Sequence, residues 1–311
     1  MILVAGSANL DFVVQASHIP APGETVLGRG FKTFAGGKGA NQAIACARAG
    51  GVATEMLLAL GNDAFAAPIE ASLAAAKVRM HTLRVADQPT GTAFICVSDD
   101  AENAITVAPG ANNYLRAAHL PALAGFSHLL LQLETPIDTV AAYARTARAQ
   151  GINVVLNAAP AQNLPATLLA LIDVLVVNAG ELATLTKHRG TIAESLKHLA
   201  VPCAVVTLGH NGSCALANGV FLVQPAFSVT SVDTTAAGDT FCGVLVAALA
   251  RRQNLPQALR LATAAGALAC TKLGAQSSIP EHGDVEKFLQ NSPATTAAQE
   301  MALYQFCGFT P

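Results

Sequence analysis

Residues Asp233–Phe241 read DTTAAGDTF, a stretch that opens polar, passes through two alanines and a glycine, and then runs into a helix. Phe241, Val244, Leu245, Ala248 and Leu249 fall on one apolar helical face behind it. Arg251 and Arg252 stand where cations suit the C-terminal end of that helix dipole. Ala236, Ala237 and Gly238 are therefore expected to present unpaired backbone N–H groups at a helix N-terminus, with almost no side chain to keep an anion away. Asp239 stands within reach of whatever that anion is attached to. The competing reading of Asp239 is an N-cap, although Cys242 supplies no partner for a capping box.

The 311-residue chain is 52% hydrophobic and 12% charged, which argues for extensive burial and against disorder. Its apolar runs are interrupted, at Gln132 and Asp173 among others, before they reach the length of a membrane span. A formal net charge of −2 offers no basic footprint for nucleic acid or anionic lipid. Seven cysteines without a C-x-x-C pair read as reduced core thiols of a cytosolic protein. The chain starts at once on the strand-like MILVAG, so no signal peptide is expected, and the histidines show no ligand spacing for a structural metal.

From the N-terminus, Ile2–Gly6 reads as a buried strand that ends in Ser7, Asn9 and Asp11, either a plain turn or hydroxyl-binding groups at the mouth of a sheet. Short β runs at Phe12–Val14, Thr25–Leu27 and Phe31–Phe34 make a small β excursion among prolines and glycines. GGKGANQA (36–43) then opens a helix. It is not a Walker A loop, because Gly39 follows Lys38. It is either an ordinary glycine-rich helix entry or a close backbone approach to a ligand, with Lys38 and Asn41 as donors.

Glu55–Leu60 reads as a strand followed by a helix from Ala64 to about Ala76, and Thr92–Ser98 with Ala104–Val107 as a second β excursion turning at Asp99–Asn103. Ser127–Leu133, Ile152–Asn157, Ile172–Val177 and Cys203–Leu208 are apolar strands of buried parallel type, separated by helices. The helix after the first of them is expected to be capped by Thr135, with Pro136 at N1, Asp138 at N3 and Gly151 at its close. Thr191 and Glu194 form a capping box.

These strands end in polar or glycine residues (Gln132 and Glu134, Asn157, Asn178, Gly209), at the edge where open parallel sheets bind ligands. Asn178 and Glu181 are spaced either to hold a hydrated cation or to cap a helix. Thr207–Gly212 is a hairpin turn or a close approach to phosphate. The last long helix spans Pro256–Leu273 and ends at Gly274. A short helix follows Pro280, and then a Thr/Ala/Gln-rich tail.

In this order the pieces resemble the ribokinase-like, PfkB-type sugar kinases, from GSANLD at Gly6 to GAQSSIP at Gly274–Pro280. The paired signatures GGKGAN and DTTAAGDTF are specific in combination. The resemblance implies an α/β three-layer sandwich with a mostly parallel central sheet flanked by helices. It implies a single kinase domain with its core at 1–11, 36–88 and 110–290, a β lid at 12–35 and 89–109, and a tail at 291–311. It further implies ATP-dependent phosphorylation of D-ribose at the 5-hydroxyl, with magnesium and potassium as cofactors and a homodimer clasped through the lids.

Residue by residue, the resemblance makes Asp239 the base and Ala236, Ala237 and Gly238 the anion hole. Asn9, Asp11, Gly37, Lys38, Asn41 and Glu134 match sugar-hydroxyl positions, and Ala93, Ile95 and Val107 match apolar lid contacts. Asn178 and Glu181 match residues near the phosphates and water-bound magnesium. Thr207, Gly209 and Gly212 match the nucleotide loop, with Thr263 on the adenine side. Asp233, Thr235, Ala269, Lys272, Gly274 and Ser278 match potassium ligands, of which only Asp233 and Ser278 would use side chains.

The sequence departs from the family pattern in NAGE (178–181), which lacks an acidic residue directly after the Asn, in NAAP (157–160), and at Thr263, where His or Asn is common. A kinase for another pentose or for a nucleoside such as pseudouridine, and a sugar-binding protein without catalysis, are the alternative readings.

Overall fold

The computed structural model describes residues 1–100 and 102–309. Among the described residues, thirteen strands are distributed over two sheets. In the larger sheet, β1 (Ile2–Ala5) lies between β4 (Thr54–Gly61) and β8 (His128–Leu131), with β5 (Arg79–Val85) beyond β4. On the other side follow β9 (Asn153–Asn157), β10 (Val174–Asn178), β11 (Cys203–Thr207), β12 (Gly212–Ala217) and β13 (Val220–Pro225). Pairing is parallel from β5 across to β11, with Ile2 opposite both Thr54 and His128, and antiparallel for β11–β12 and β12–β13. A sheet with six parallel pairings out of eight needs helices on both faces, because its strands expose apolar side chains to each side.

Alternation along each strand builds the two cores. Ile2, Val4, Met56, Leu58 and Leu60 face one helical layer: α1 (Lys38–Ile44, continued by a wide turn through Ala49), α2 (Ala66–Ala75), α7 (Ala237–Ala250), α8 (Leu255–Ala269) and α9 (His282–Asn291). Leu3, Ala5, Leu57 and Ala59 face the other: α3 (Ile137–Ala149), α4 (Ala166–Leu169), α5 (Ala179–Thr186), α6 (Ile192–Lys197) and α10 (Ala297–Phe306). The three layers expected of the resemblance are thus present. Among the described residues no helix is long and apolar enough to cross a membrane.

The chain leaves β1 for β4 and β5 on one side and returns through β8 on the other, so its direction of winding switches between β1 and β8. Crevices form at the C-terminal ends of the strands at such a switch. There the smaller sheet is attached: β3 (Gly30–Gly36), β2 (Asn9–Gln15), β6 (Gly91–Val97) and β7 (Asn103–Ala108), in that order. Its register sets Asp11 beside Ala93 and Ala93 beside Val107, so these three side chains share one face, and Ile95 joins them two residues on. Phe12 packs on the opposite face, stacked on Phe94 at 5.3 Å between ring centroids and edge-on to Phe65.

Several local expectations are corrected. Thr25–Leu27 is not a strand; only β2 and β3 pair in the first excursion. Thr135 does not cap α3. Pro136 occupies the N-cap with no side-chain bond, and Asp138 lies in the first turn, because the extended conformation at Pro136 delays the helix to Ile137.

The helix expected to reach Leu273 stops at Ala269, where Val232 and Asp233 donate to the Cys270 carbonyl and pull the chain into turns that end at left-handed Gly274. The tail folds into α10, capped by Thr296 and Gln299, and buries Leu303 and Cys307 near β13. The turn expected at Asp99–Asn103 includes Ala101, and the tail includes 310–311; these three positions lie outside the described residues.

Candidate active site

Two helix N-termini meet above the switch. Ala236 is the N-cap of α7, held left-handed at φ 59°, and no side chain caps the helix. Asp239 is the third residue of α7, so it does not serve as the N-cap, and its carboxylate faces across to α1. Asn41 Nδ2 donates to its Oδ2 at 2.9 Å, and Gln42 Nε2 donates to its Oδ1 at 2.8 Å. The left-handed turn at Ala236 also brings the Ala237 N–H to 3.2 Å from the Thr234 carbonyl. Of the three amides expected to be unpaired, those of Ala236 and Gly238 meet no protein acceptor among the described residues. A side chain built at Gly238 would find no atom within 4 Å, so the approach to these amides is open.

Asp239 lines a polar cavity of about 230 Å³ together with Lys38, Asn157, Asn178, Glu181, Thr234, Ala236 and Gly238. A larger, mainly apolar cleft of about 510 Å³ adjoins it, lined among others by Thr207, Gly209, Gly212, Phe227, Ala237, Phe241, Thr263 and Gly266. Thr207, Thr234 and Gly238 border both spaces, so the two are contiguous and meet at the N-terminus of α7. The carboxylate is neither sealed in the core nor turned from the cleft.

Around the polar cavity the charges are dense. Burial works against the Lys38 ammonium, yet the carboxylates of Asp239, Glu134 and Glu181 together raise its pKa above the usual lysine value. Burial, reinforced by Glu134 and then Asp239, pushes Asp11 up to about 7, with Lys38 opposing. Glu181 is also raised, chiefly by burial. Glu134 Oε2 accepts from Ser7 Oγ at 2.5 Å and from the Lys38 backbone N–H at 3.2 Å, which ties the end of β8 to the entry of α1. Asn9 Oδ1 accepts from Asn112 Nδ2 at 2.8 Å.

Gly37 takes φ 88°, and a Cβ there would lie 2.7 Å from the Asn9 backbone nitrogen, so only glycine lets α1 start this close to β2. Asn41 Oδ1 is buried and finds no hydrogen-bond partner among the described residues, an acceptor suited to a ligand hydroxyl.

Asn178 and Glu181 form a reciprocal capping box at α5, each backbone N–H donating to the other's side chain at 2.8 Å. They cap the helix and line the polar cavity at once. Thr263 turns its hydroxyl to Ser213, 3.2 Å away.

Beside α7, Asp233 Oδ1 accepts from the N–H and hydroxyl of Thr235, and its Oδ2 accepts from the Gly274 N–H at 2.9 Å. The segment carrying Thr235 is thereby drawn to the turns that follow Ala269 at the end of α8 and carry Lys272 and Gly274, and Ser278 beyond them is buried with its Oγ on the Ala275 carbonyl. Carbonyl, hydroxyl and carboxylate oxygens are a hard donor set, which fits an alkali cation.

Sequence reasoning gave no role to Gln42 or Asn112. The one available signal for Gln42 was an uncharged polar residue set among the small buried residues of α1.

The pfkB carbohydrate kinase family model matches residues 1–282. The chain belongs to the pfkB family of carbohydrate kinases. Within it, the chain is 37% identical over 303 residues to the ribokinase of Haemophilus influenzae, covering 94% of this chain and 99% of that protein. The crystal structure of the ribokinase of Thermotoga maritima matches with a TM-score of 0.86 at 35% identity, over 93% of this chain and 99% of the other. The ribokinase of Arabidopsis thaliana complexed with ribose and ATP matches with a TM-score of 0.84 at 30% identity, over 94% and 99%.

Proposed function

We infer that this chain is an ATP-dependent kinase that transfers the γ-phosphoryl group to the 5-hydroxyl of D-ribose. The observation that carries the reading is the placement of Asp239 where a polar cavity and an apolar cleft join at one helix N-terminus. The cleft suits an adenine nucleotide, with Thr207, Gly209 and Gly212 at its phosphate end and Thr263 toward the base. The polar cavity beside Asp239 suits the transferring phosphoryl group and the acceptor hydroxyl.

Asp11 and Glu134 supply acceptors for sugar hydroxyls, and Asn9, Lys38 and Asn41 supply amide and ammonium groups. The small sheet acts as a lid that covers the sugar with Ala93, Ile95 and Val107. In this reading residues 12–35 and 89–109 form that lid on a single kinase domain, and 291–311 form its tail.

Asp239 takes the proton of the 5-hydroxyl as the sugar oxygen bonds to the γ-phosphorus and the bond to the β-phosphate oxygen breaks. General base assistance of this kind contributes about 10²–10⁴-fold. The Ala236 and Gly238 amides face the charge that builds on the transferring group, and the α7 dipole adds to them. Lys38, held fully charged among carboxylates, balances the same charge. Glu181 and Asn178, which line the polar cavity, would hold the magnesium that accompanies the nucleotide, and that ion would supply neutralisation of the phosphates.

Potassium fits the loops of Asp233, Thr235, Ala269, Lys272, Gly274 and Ser278, where it would stiffen the start of α7. Exposed apolar side chains on the lid (Phe31, Phe94 and Ile105) support a homodimer through the lids. The compartment proposed is the cytoplasm.

A coupled assay with ribose, 2-deoxyribose and several nucleosides, with and without potassium, tests the reading. Ribose should have the highest kcat/KM and should respond to potassium. A nucleoside turned over far more efficiently would replace the ribose assignment with the nucleoside one.

A further inference from the structure

Gln42 is fully buried on α1, yet its amide is one of the two that hold Asp239. Helices α1 and α7 approach closely at Gly243, where a Cβ would lie 2.5 Å from the Cβ of Ala45 and 2.7 Å from the Gln42 carbonyl. One turn along each helix from this contact, Gln42 faces Asp239 as Cys46 faces Gly243, whose carbonyl accepts from Cys46 Sγ at 3.2 Å. The missing side chain at Gly243 thus sets the helix spacing that lets a glutamine reach the carboxylate.

The orientation of the amide is fixed from both ends of a chain of hydrogen bonds. Asn157 Nδ2 donates to the Val176 backbone carbonyl at 3.1 Å, so its Oδ1 turns toward Gln42. An ionised Asp239 can only accept. Gln42 must therefore turn its NH2 toward both, at 2.9 Å to Asn157 and 2.8 Å to Asp239. Its Oε1 is left pointing the other way, where Gln132 Nε2 donates at 2.7 Å. Gln132 is itself fully buried. Reversing any amide in this chain would set acceptor against acceptor or donor against donor.

We propose that Gln42, kept in register by Gln132, is a positioning residue for the phosphoryl-transfer step: it fixes the carboxylate plane of Asp239 before sugar and nucleotide arrive. This proposal rests on Asp239 being the base. Gln42 is fully buried and lines neither the polar cavity nor the cleft, so its loss should leave binding nearly intact and show in the chemical step. Misplacing a reacting group by about 1 Å costs about 10²-fold, which sets the scale of the effect.

The test compares Q42M, Q42M/Q132M and D239N by steady-state kinetics with ribose and ATP, alongside urea unfolding. Q42M should lose about 10- to 100-fold in kcat, with the KM for each substrate within about threefold of the parent. Q42M also strands the Gln132 Nε2 and the Asn157 Oδ1, so its urea midpoint should fall. Q42M/Q132M removes the stranded Gln132 amide and leaves Asn157 Oδ1 unpaired, so it should recover part of the midpoint while kcat stays low.

A double variant whose activity returns with its stability would overturn the proposal, since that is the behaviour of a purely structural residue. So would a Q42M protein with raised KM and unchanged kcat. D239N inactive beside a fully active Q42M would sink the Gln42 claim alone, whereas an active D239N would sink both that claim and the base assignment.

Discussion

Replacing Asp11 with Asn should make the sugar-free protein more stable, and the gain should depend on pH. Asp11 is only 8% exposed, at the start of the small sheet, with Glu134 and Asp239 near enough to disfavour a further negative charge. Its carboxyl is raised from 3.8 to about 7. The sign follows from linkage. Below 3.8 the group is protonated whether the chain is folded or not, and it contributes no penalty. As the pH rises toward 7 the unfolded chain releases the proton and the folded chain keeps it, so the folded state loses ground. Above 7 the loss is complete.

At about 1.36 kcal/mol per pKa unit, the penalty is about 4 kcal/mol at pH 8 and below about 2 kcal/mol at pH 5. Asn cannot ionise and avoids it. Urea unfolding of parent and D11N without sugar, at both pH values, reads the difference. D11N should unfold at higher urea at pH 8, with the advantage at least halved at pH 5, and it should bind ribose far more weakly. A destabilised D11N at pH 8, or a gain independent of pH, would refute the claim that the site keeps a strained carboxylate for its ligand.

The same raised carboxyl predicts that the apparent affinity of the parent for ribose falls about tenfold from pH 8 to pH 6, since the charged fraction of Asp11 falls by that factor. A pH series of sugar KM checks this, and D11N should lack that dependence. G37A should lose about 1–3 kcal/mol from strain at a left-handed φ and raise the sugar KM by pressing on Asn9, read by urea unfolding and kinetics. L303A, which empties a buried position of α10 in the core that also holds Phe221, should cost about 2–3 kcal/mol while kcat of the folded protein is unchanged. A loss of kcat there would mean the tail communicates with the site.

The two signatures were legible because each acts through its own backbone. Glycine and alanine at 236–238 and at 36–40 can do little except bring a chain close to something, and both stretches do open helices at the switch of the sheet. The parallel strands were legible as uninterrupted apolar runs, since both of their faces are covered. Strand β5, RMHTLRV, was not: it is an edge strand with a half-exposed, charged pattern that does not stand out from a loop. Helix α10, AAQEMALYQF, was hidden in a tail rich in Thr, Ala and Gln, although its cap, Thr296 with Gln299, could have marked its start. Of the alternatives left open at Asn178 and Glu181 the helix cap is the one seen, and the same two residues line the polar cavity. Gln42 could not be placed from sequence, since the residues it bonds lie 90, 115 and 197 positions away along the chain.

Turnover by D239N, measured together with ribose binding by calorimetry, bears most directly on the chemistry assigned to this fold. The substitution keeps the shape of the side chain and removes its capacity to accept a proton. Ribose should bind within a few-fold of the parent, and ribose 5-phosphate formation should fall by about 10²–10⁴. Turnover near that of the parent would mean that another group takes the proton and that the α7 carboxylate is not the base.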